Sequence, residues 1–256
     1  MPDMRCDVLQ LYTVRDMTAR DFAGTIKKVA GIGYKAVETA GYGNLKTAKE
    51  AKKALDDAGL KAVSGHFAID LLENKLDQVL EDAQALGIDL VVCPFLPEDR
   101  RKDAAGYQAV AKALDKAGLA LHQYGVMLGY HNHNFEFQDF GGKNGLDIIF
   151  ENTQPHVLCA EVDVYWVKFA GLDPVTYVNK LGDRVRALHL KDMLEGPEKR
   201  FAPVGTGIID FKSVLAAAEK HGVRYGIVEQ DRTYDKATID SIRTSLENLK
   251  KMGAVS

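Results

Sequence analysis

Two hydrophobic periods alternate along this chain. Short runs rich in Val, Ile and Leu give way to longer stretches in which apolar residues return every third or fourth position, and the cycle then repeats. The first pattern is that of buried strands and the second that of amphipathic helices. It predicts strands at 6–12, 35–39, 61–66, 89–93, 126–132, 157–163, 185–190 and 224–229. It predicts helices at 18–31, 45–58, 74–86, 104–124, 146–151, 174–181, 211–221 and 237–252. Capping residues agree with these boundaries. Thr18 and Asp210 are the expected N-caps, and Pro174 stands in a first helical turn. Gly followed by Ile, Leu or Val recurs where a helix hands over to the next strand, as at Gly59-Leu60 and Gly87-Ile88.

Eight strand–helix units in 256 residues, with no break in composition, predict an α/β chain folded as a single (β/α)8 barrel, with 1–256 as one domain. A doubly wound sheet also alternates, but no Gly-x-Gly-x-x-Gly follows the first strand. Gly31-Ile32-Gly33 precedes a strand and reads as a turn. In a barrel, reactive groups gather at the C-terminal ends of the strands. Those ends carry Gln10, Glu38, His66, His131 and His133, Asp163, His189 and Lys191, and Glu229. The strand starts carry only scattered charges such as Asp7, Lys35 and Arg224. This asymmetry points to an enzyme.

Charge removes some alternatives. Lys plus Arg (33) nearly balance Asp plus Glu (36), so a net charge of −3 gives no general attraction to nucleic acid or to an anionic membrane. No apolar run reaches membrane-spanning length, and the first residues lack the apolar core of a signal peptide. Cys6, Cys93 and Cys159 form an odd set in apolar runs, without metal-ligand spacing. A reducing, cytoplasmic compartment is the expectation.

The chemistry centres on Leu158-Cys159-Ala160-Glu161-Val162-Asp163, an apolar strand ending in acids. Glu161 and Asp163 share one strand face, which is costly unless a cation or donor meets them. His131 or His133, Asp163, His189 and Glu229 end separate strands, which suggests one convergent metal site. Each residue also has a plain reading: a cap or ion pair for Asp163, a hydrogen-bonded core imidazole for His189, and a surface carboxylate for Glu229. Glu38 and His66 read either as substrate contacts, with His66 as a general acid or base, or as partners of a loop. Lys191 reads as a catalytic cation or as a neutralising partner for Asp192 or Glu161. Trp166, the only Trp, reads as a sugar-stacking platform or as core, and Glu161 as a carboxylate lying behind the metal ligands.

Four segments carry a resemblance: Tyr130-His131-Asn132-His133-Asn134-Phe135-Glu136-Phe137, Glu161-Val162-Asp163-Val164-Tyr165-Trp166, His189-Leu190-Lys191-Asp192-Met193, and the loop from Pro203 to Phe211. With them the chain resembles the xylose isomerase-like TIM barrels of the sugar phosphate isomerase/epimerase family over its whole length. The resemblance implies a divalent metal, Mn2+ first and Zn2+, Mg2+ or Co2+ as alternatives, held by Asp163, His189 and Glu229. Where the family's epimerases have a strand-five Glu, this chain offers His131, preferred here over His133, which is left to contact substrate. Trp166 stands where those epimerases commonly have a substrate-binding His. The implied activity is isomerisation or epimerisation of a sugar or keto-sugar through an enediolate. Glu229 would be the base, and His66, Lys191 or a strand-five His would return the proton. Glu38, His133, Trp166 and Gln10 would contact a small-molecule sugar in a homodimer or homotetramer. The alternative is a dehydratase similar to inosose dehydratase. A nuclease resembling endonuclease IV fits poorly, because strand four ends in Cys93-Pro94-Phe95 and the chain is not basic. A barrel that only binds sugar would require the four ligand positions not to meet.

Overall fold

Parallel barrel strands are buried on both faces, so they read as nearly continuous apolar runs. The computed structural model describes residues 4–234 and 236–255. The expected 1–256 span, and the expectation that the first residues lack a signal peptide's apolar core, include positions outside that range. Eight strands form the barrel: β1 (Arg5–Gln10), β2 (Ala36–Thr39), β3 (Lys61–His66), β4 (Leu90–Cys93), β5 (Met127–His131), β6 (Leu158–Asp163), β7 (Val185–Leu190) and β8 (Tyr225–Val228). Each pairs in parallel with its neighbours in sequence, and β8 closes onto β1. Helices intervene at Phe22–Ile32 (α1), Ala48–Asp57 (α2), Leu76–Leu86 (α3), Ala104–His122 (α4), Gly145–Glu151 (α5), Pro174–Leu181 (α6) and Phe211–Lys220 (α7), and Thr238–Lys251 (α8) follows β8. This is the expected (β/α)8 barrel. No helix among the described residues is long and apolar enough to cross a membrane.

Helix ends follow side-chain chemistry. Thr47 and Glu50 form a reciprocal capping box on α2, and Asp210 caps α7. The expected N-cap at Thr18 is not used. Thr18 ends a short turn, Arg15–Thr18, with its hydroxyl donating to the Arg15 carbonyl, and α1 starts after Asp21, whose carboxylate accepts from the Gly24 N–H. Asp21 immediately precedes the apolar Phe22 and supplies a charged acceptor, so it takes the cap. α1 runs on to Gly33, which ends it at φ 118°.

Period-two alternation sets what faces the lumen. Val8, Ala36, Val63, Leu90, Val92, Cys159, Ala187 and Ile227 form an apolar cluster separate from the core between strands and helices. Two residues further along, the same faces turn polar: Val8 leads to Gln10, Ala36 to Glu38, Cys159 to Glu161 and Asp163, Ala187 to His189 and Lys191, and Ile227 to Glu229 and Asp231. The barrel therefore has an apolar floor and a polar upper tier. Cys6, Cys93 and Cys159 are buried free thiols.

A hairpin of Asp192–Met193 with Phe201–Ala202, unmarked by the hydrophobic pattern, follows β7. Asp192 accepts from the backbone N–H groups of Met193, Gly205, Thr206, Gly207 and Ile209, and so ties down the loop 203–209. A Cβ on Gly207 would lie 2.1 Å from the Met193 carbonyl oxygen, so this close approach needs glycine. Asp192 is thus occupied by backbone, which removes it as the partner of Lys191.

A candidate metal centre under an open cavity

Strand register brings the polar residues together. His131 pairs with Glu161 across β5 and β6, and Asp163 with His189 across β6 and β7. Glu229 follows β8 directly, its N–H donating to the Leu190 carbonyl. His131, Asp163, His189 and Glu229 are all buried, and each offers one donor atom within 4.8 Å of the others. His131 Nε2 lies 3.8 Å from Asp163 Oδ2, and His189 Nδ1 lies 2.7 Å from Glu229 Oε2. A second set, His66, His131, Glu161 and His189, meets the same criterion and shares both ligand histidines with the first.

The buried charges explain one another. Lys191 is 1% exposed, and its Nζ lies 2.9 Å from Asp163 Oδ2, 2.8 Å from Glu229 Oε2 and 2.8 Å from Asp231 Oδ1. Burial opposes its charge, but the three carboxylates hold its pKa well above the ordinary lysine value. Burial likewise opposes the Glu229 carboxylate, yet Lys191 and His189 hold it well below the usual range. Burial pushes Asp163 up to about 6 against the pull of Lys191. His131 is driven well below its ordinary value by burial and then by the charge of His189, so its ring is neutral and free to ligate. For His189 burial is outweighed by Glu161 and Glu229, which hold it protonated, so a metal binding there displaces a proton. His66 is raised to about 10, burial being outweighed by Glu38 and Glu161.

The donor chemistry fits a divalent ion. Two imidazoles and two carboxylates form a mixed N/O set. Asp163 Oδ2, though near Lys191, has no aligned hydrogen-bond donor in its buried position. Its other oxygen is committed, accepting from the N–H groups of Tyr165 and Trp166 and capping the short helix Val164–Phe169.

Above this centre opens a cavity of about 400 Å³ whose wall includes His66, His131, His133, Lys191, Glu229 and Asp231, with the half-exposed rings of Tyr12 and Phe95. A hollow of about 470 Å³ at the start of β1, beside Asp7, Lys212 and Glu219, has no comparable donor set in its lining. Of the predicted substrate contacts, His133 lies on the cavity wall. Gln10 and Glu38 lie beneath it, fully buried and joined by a 2.6 Å hydrogen bond. Trp166 is not on the wall; its ring lies 5.4 Å from that of His133 and packs on Phe169 and Phe201. Asp231, Tyr12 and Phe95 were not anticipated. Asp231 had a signal, since it follows Glu229 at the spacing that relates Glu161 to Asp163.

Glu136 was also given no role. It is fully buried, takes the Tyr130 hydroxyl at 2.7 Å and the His133 N–H at 2.8 Å, and so shapes the turn that presents His133. Burial, opposed by those hydrogen bonds, raises its pKa from 4.5 to about 7. A carboxyl with a raised folded-state pKa contributes most below the unfolded value, and that contribution is lost as pH rises through the folded one. Relative to Glu136→Gln, the wild-type chain is therefore expected to lose on the order of 3 kcal/mol between pH values of about 4.5 and 7. Urea unfolding of both proteins across that range checks it; parallel pH profiles would remove the assignment.

Comparison with known proteins gives consistent results. The sequence profile of the xylose isomerase-like TIM barrels matches residues 26–252. An inosose dehydratase of Lacticaseibacillus casei is 25% identical over 144 residues, covering 49% of this chain and 48% of the relative, so the chain spans about half the length of the curated relatives it matches. The structure is similar to that of a sugar phosphate isomerase/epimerase from Parabacteroides distasonis, with a TM-score of 0.86, 23% identity and 100% of both chains covered. It is also similar to the IOLI protein with a bound zinc atom, with a TM-score of 0.72, 14% identity and 96% of both chains covered.

Proposed function

The chain belongs to the xylose isomerase-like TIM barrel family, and on that premise we propose that it is a divalent-metal-dependent enzyme that removes a proton next to the carbonyl of a sugar or keto-sugar. The observation that carries this reading is the meeting of His131, Asp163, His189 and Glu229 beneath a cavity lined by proton-transfer groups. Those four residues would hold the ion. Two imidazoles with two carboxylates suit Mn2+, Zn2+ or Co2+ better than Mg2+. When bound, the metal would polarise the carbonyl and the adjacent hydroxyl and so acidify the neighbouring C–H.

The chain's own groups divide the remaining work. Glu229, held ionised, is the base that takes the carbon-bound proton. His66, held protonated and on the cavity wall, can return a proton to the enediolate. His133 is kept neutral, its pKa lowered to about 3 by burial and by Lys191, and its buried Nδ1 lacks a partner, so it is suited to a substrate hydroxyl. Return of the proton to carbon gives isomerisation or epimerisation, in line with the names of the structural neighbours.

A second reading, dehydration, is favoured by Lys191. A buried ammonium on the cavity wall can assist departure of a β-hydroxyl, and the curated relatives are inosose dehydratases. The two separate in deuterated water with Mn2+ supplied. An isomerase or epimerase incorporates solvent deuterium into a panel of keto-sugars and keto-inositols without new ultraviolet absorbance, whereas a dehydratase builds a lasting enone or diketone absorbance. Absence of both across the panel, with metal bound, would sink the proton-abstraction reading. Glu229→Gln is expected to lower exchange by about a thousandfold.

A further inference from the structure

The ring nitrogens of the two histidines in the metal centre are not equivalent. Glu161 Oε2 lies 3.2 Å from His131 Nδ1, 3.1 Å from His189 Nε2 and 2.9 Å from His66 Nε2. Glu38 Oε1 lies 2.8 Å from His189 Nε2 and 2.9 Å from His66 Nε2. These contacts lie on the floor side. On the other side His131 Nε2 faces Asp163, and His189 Nδ1 faces Glu229. An ionised carboxylate that does not itself hold the ion only accepts, so the ring nitrogen facing Glu161 or Glu38 carries the hydrogen, whereas at Asp163 and Glu229 the ion would take the hydrogen's place. With the ion bound each ring would be a neutral imidazole with one such hydrogen, which leaves its lone pair on the opposite nitrogen. His131 is thereby set as the Nδ1–H tautomer, and His189 as the Nε2–H tautomer.

We propose that Glu161, assisted by Glu38, is a positioning residue that locks the two histidines in opposite tautomers, so that His131 presents Nε2 and His189 presents Nδ1 to the metal. This rests on the metal-centre reading above. One acid does this for two rings because it lies two residues before Asp163 on the same lumen face, level with His131 on the neighbouring strand. A rival arrangement, a second cation among His66, His131, Glu161 and His189, would require both shared rings to bridge two ions through both nitrogens. Donors 2.9–3.2 Å apart are spaced as hydrogen bonds.

The test is nitrogen NMR of 15N-histidine-labelled protein loaded with 113Cd2+, with metal affinity measured in parallel. The wild type is expected to bind one ion and to show cadmium coupling to one Nε2 and one Nδ1. Glu161→Gln can donate as well as accept, so it should release the tautomers and weaken metal binding by about 10–100-fold, with Glu161→Asp partly restoring both. Coupling to two nitrogens of the same type in the wild type would overturn the proposal, as would two ions per chain, or a folded Glu161→Gln with unchanged couplings and affinity. The wild-type spectrum decides even if that variant does not fold. No cadmium uptake by the wild type would instead remove the metal centre itself, a different failure from uptake with the wrong nitrogens.

Discussion

Asp163→Asn is expected to fold, to emerge from purification without its divalent metal, and to turn over about a thousandfold more slowly or worse. The choice of Asn separates two roles of Asp163. One oxygen caps the helix Val164–Phe169 through the Tyr165 and Trp166 N–H groups, and an Asn carbonyl can keep that cap. The other oxygen has no aligned donor and faces His131, Glu229 and Lys191, where only an anion serves a cation well. Asp163→Ala would lose both roles and should cost about 1 kcal/mol more in stability for the missing cap. Elemental analysis of the purified proteins, beside isotope exchange in deuterated water, measures the effect. Full metal content in Asp163→Asn would contradict the assigned ligand set.

The largest stability effect is expected at Lys191. Replacement by Met keeps much of the side-chain volume but leaves Asp163, Glu229 and Asp231 without their shared ammonium. Removing one partner from a buried charged group costs about 3–5 kcal/mol, because the remaining charges stay desolvated and now repel. The loss should be greatest with a chelator at neutral pH. It should shrink when Mn2+ or Zn2+ is added, since a divalent ion can supply the missing positive charge. It should also shrink as pH falls, because carboxylates relieved of their cation protonate more readily. Urea unfolding with and without metal measures it. A Lys191→Met protein as stable as wild type in chelator would mean that the ammonium is not what balances this tier.

Much of this architecture was legible in the sequence, for a reason that individual elements illustrate. β3, β7 and α6 have the bounds that the pattern predicts, because each is flanked by sharp punctuation: Gly59-Leu60 before β3, Gly182 before β7, and Asp173-Pro174 at the start of α6. β1 was predicted too long because its apolar run continues through Leu11 into a 3-10 turn, where periodicity no longer reports backbone. Val164–Phe169 was missed because six residues are too few for a helical period to register. The strand-end His, Asp and Glu residues were visible because barrel geometry puts such ends in one place. Which nitrogen faces which carboxylate was not, because that depends on ring rotation and lumen depth. Gln10 ends β1 and Glu38 is the penultimate residue of β2, yet both lie beneath the cavity, one tier lower than strand order alone suggests.

The apolar floor formed by Val8, Ala36, Val63, Leu90 and their neighbours has a kinetic corollary. It makes the barrel a vessel with one door. Whatever enters past Tyr12 and Phe95 must leave the same way, so a lingering product occupies the doorway that the next substrate needs. Product inhibition in such a vessel is expected to be competitive with substrate.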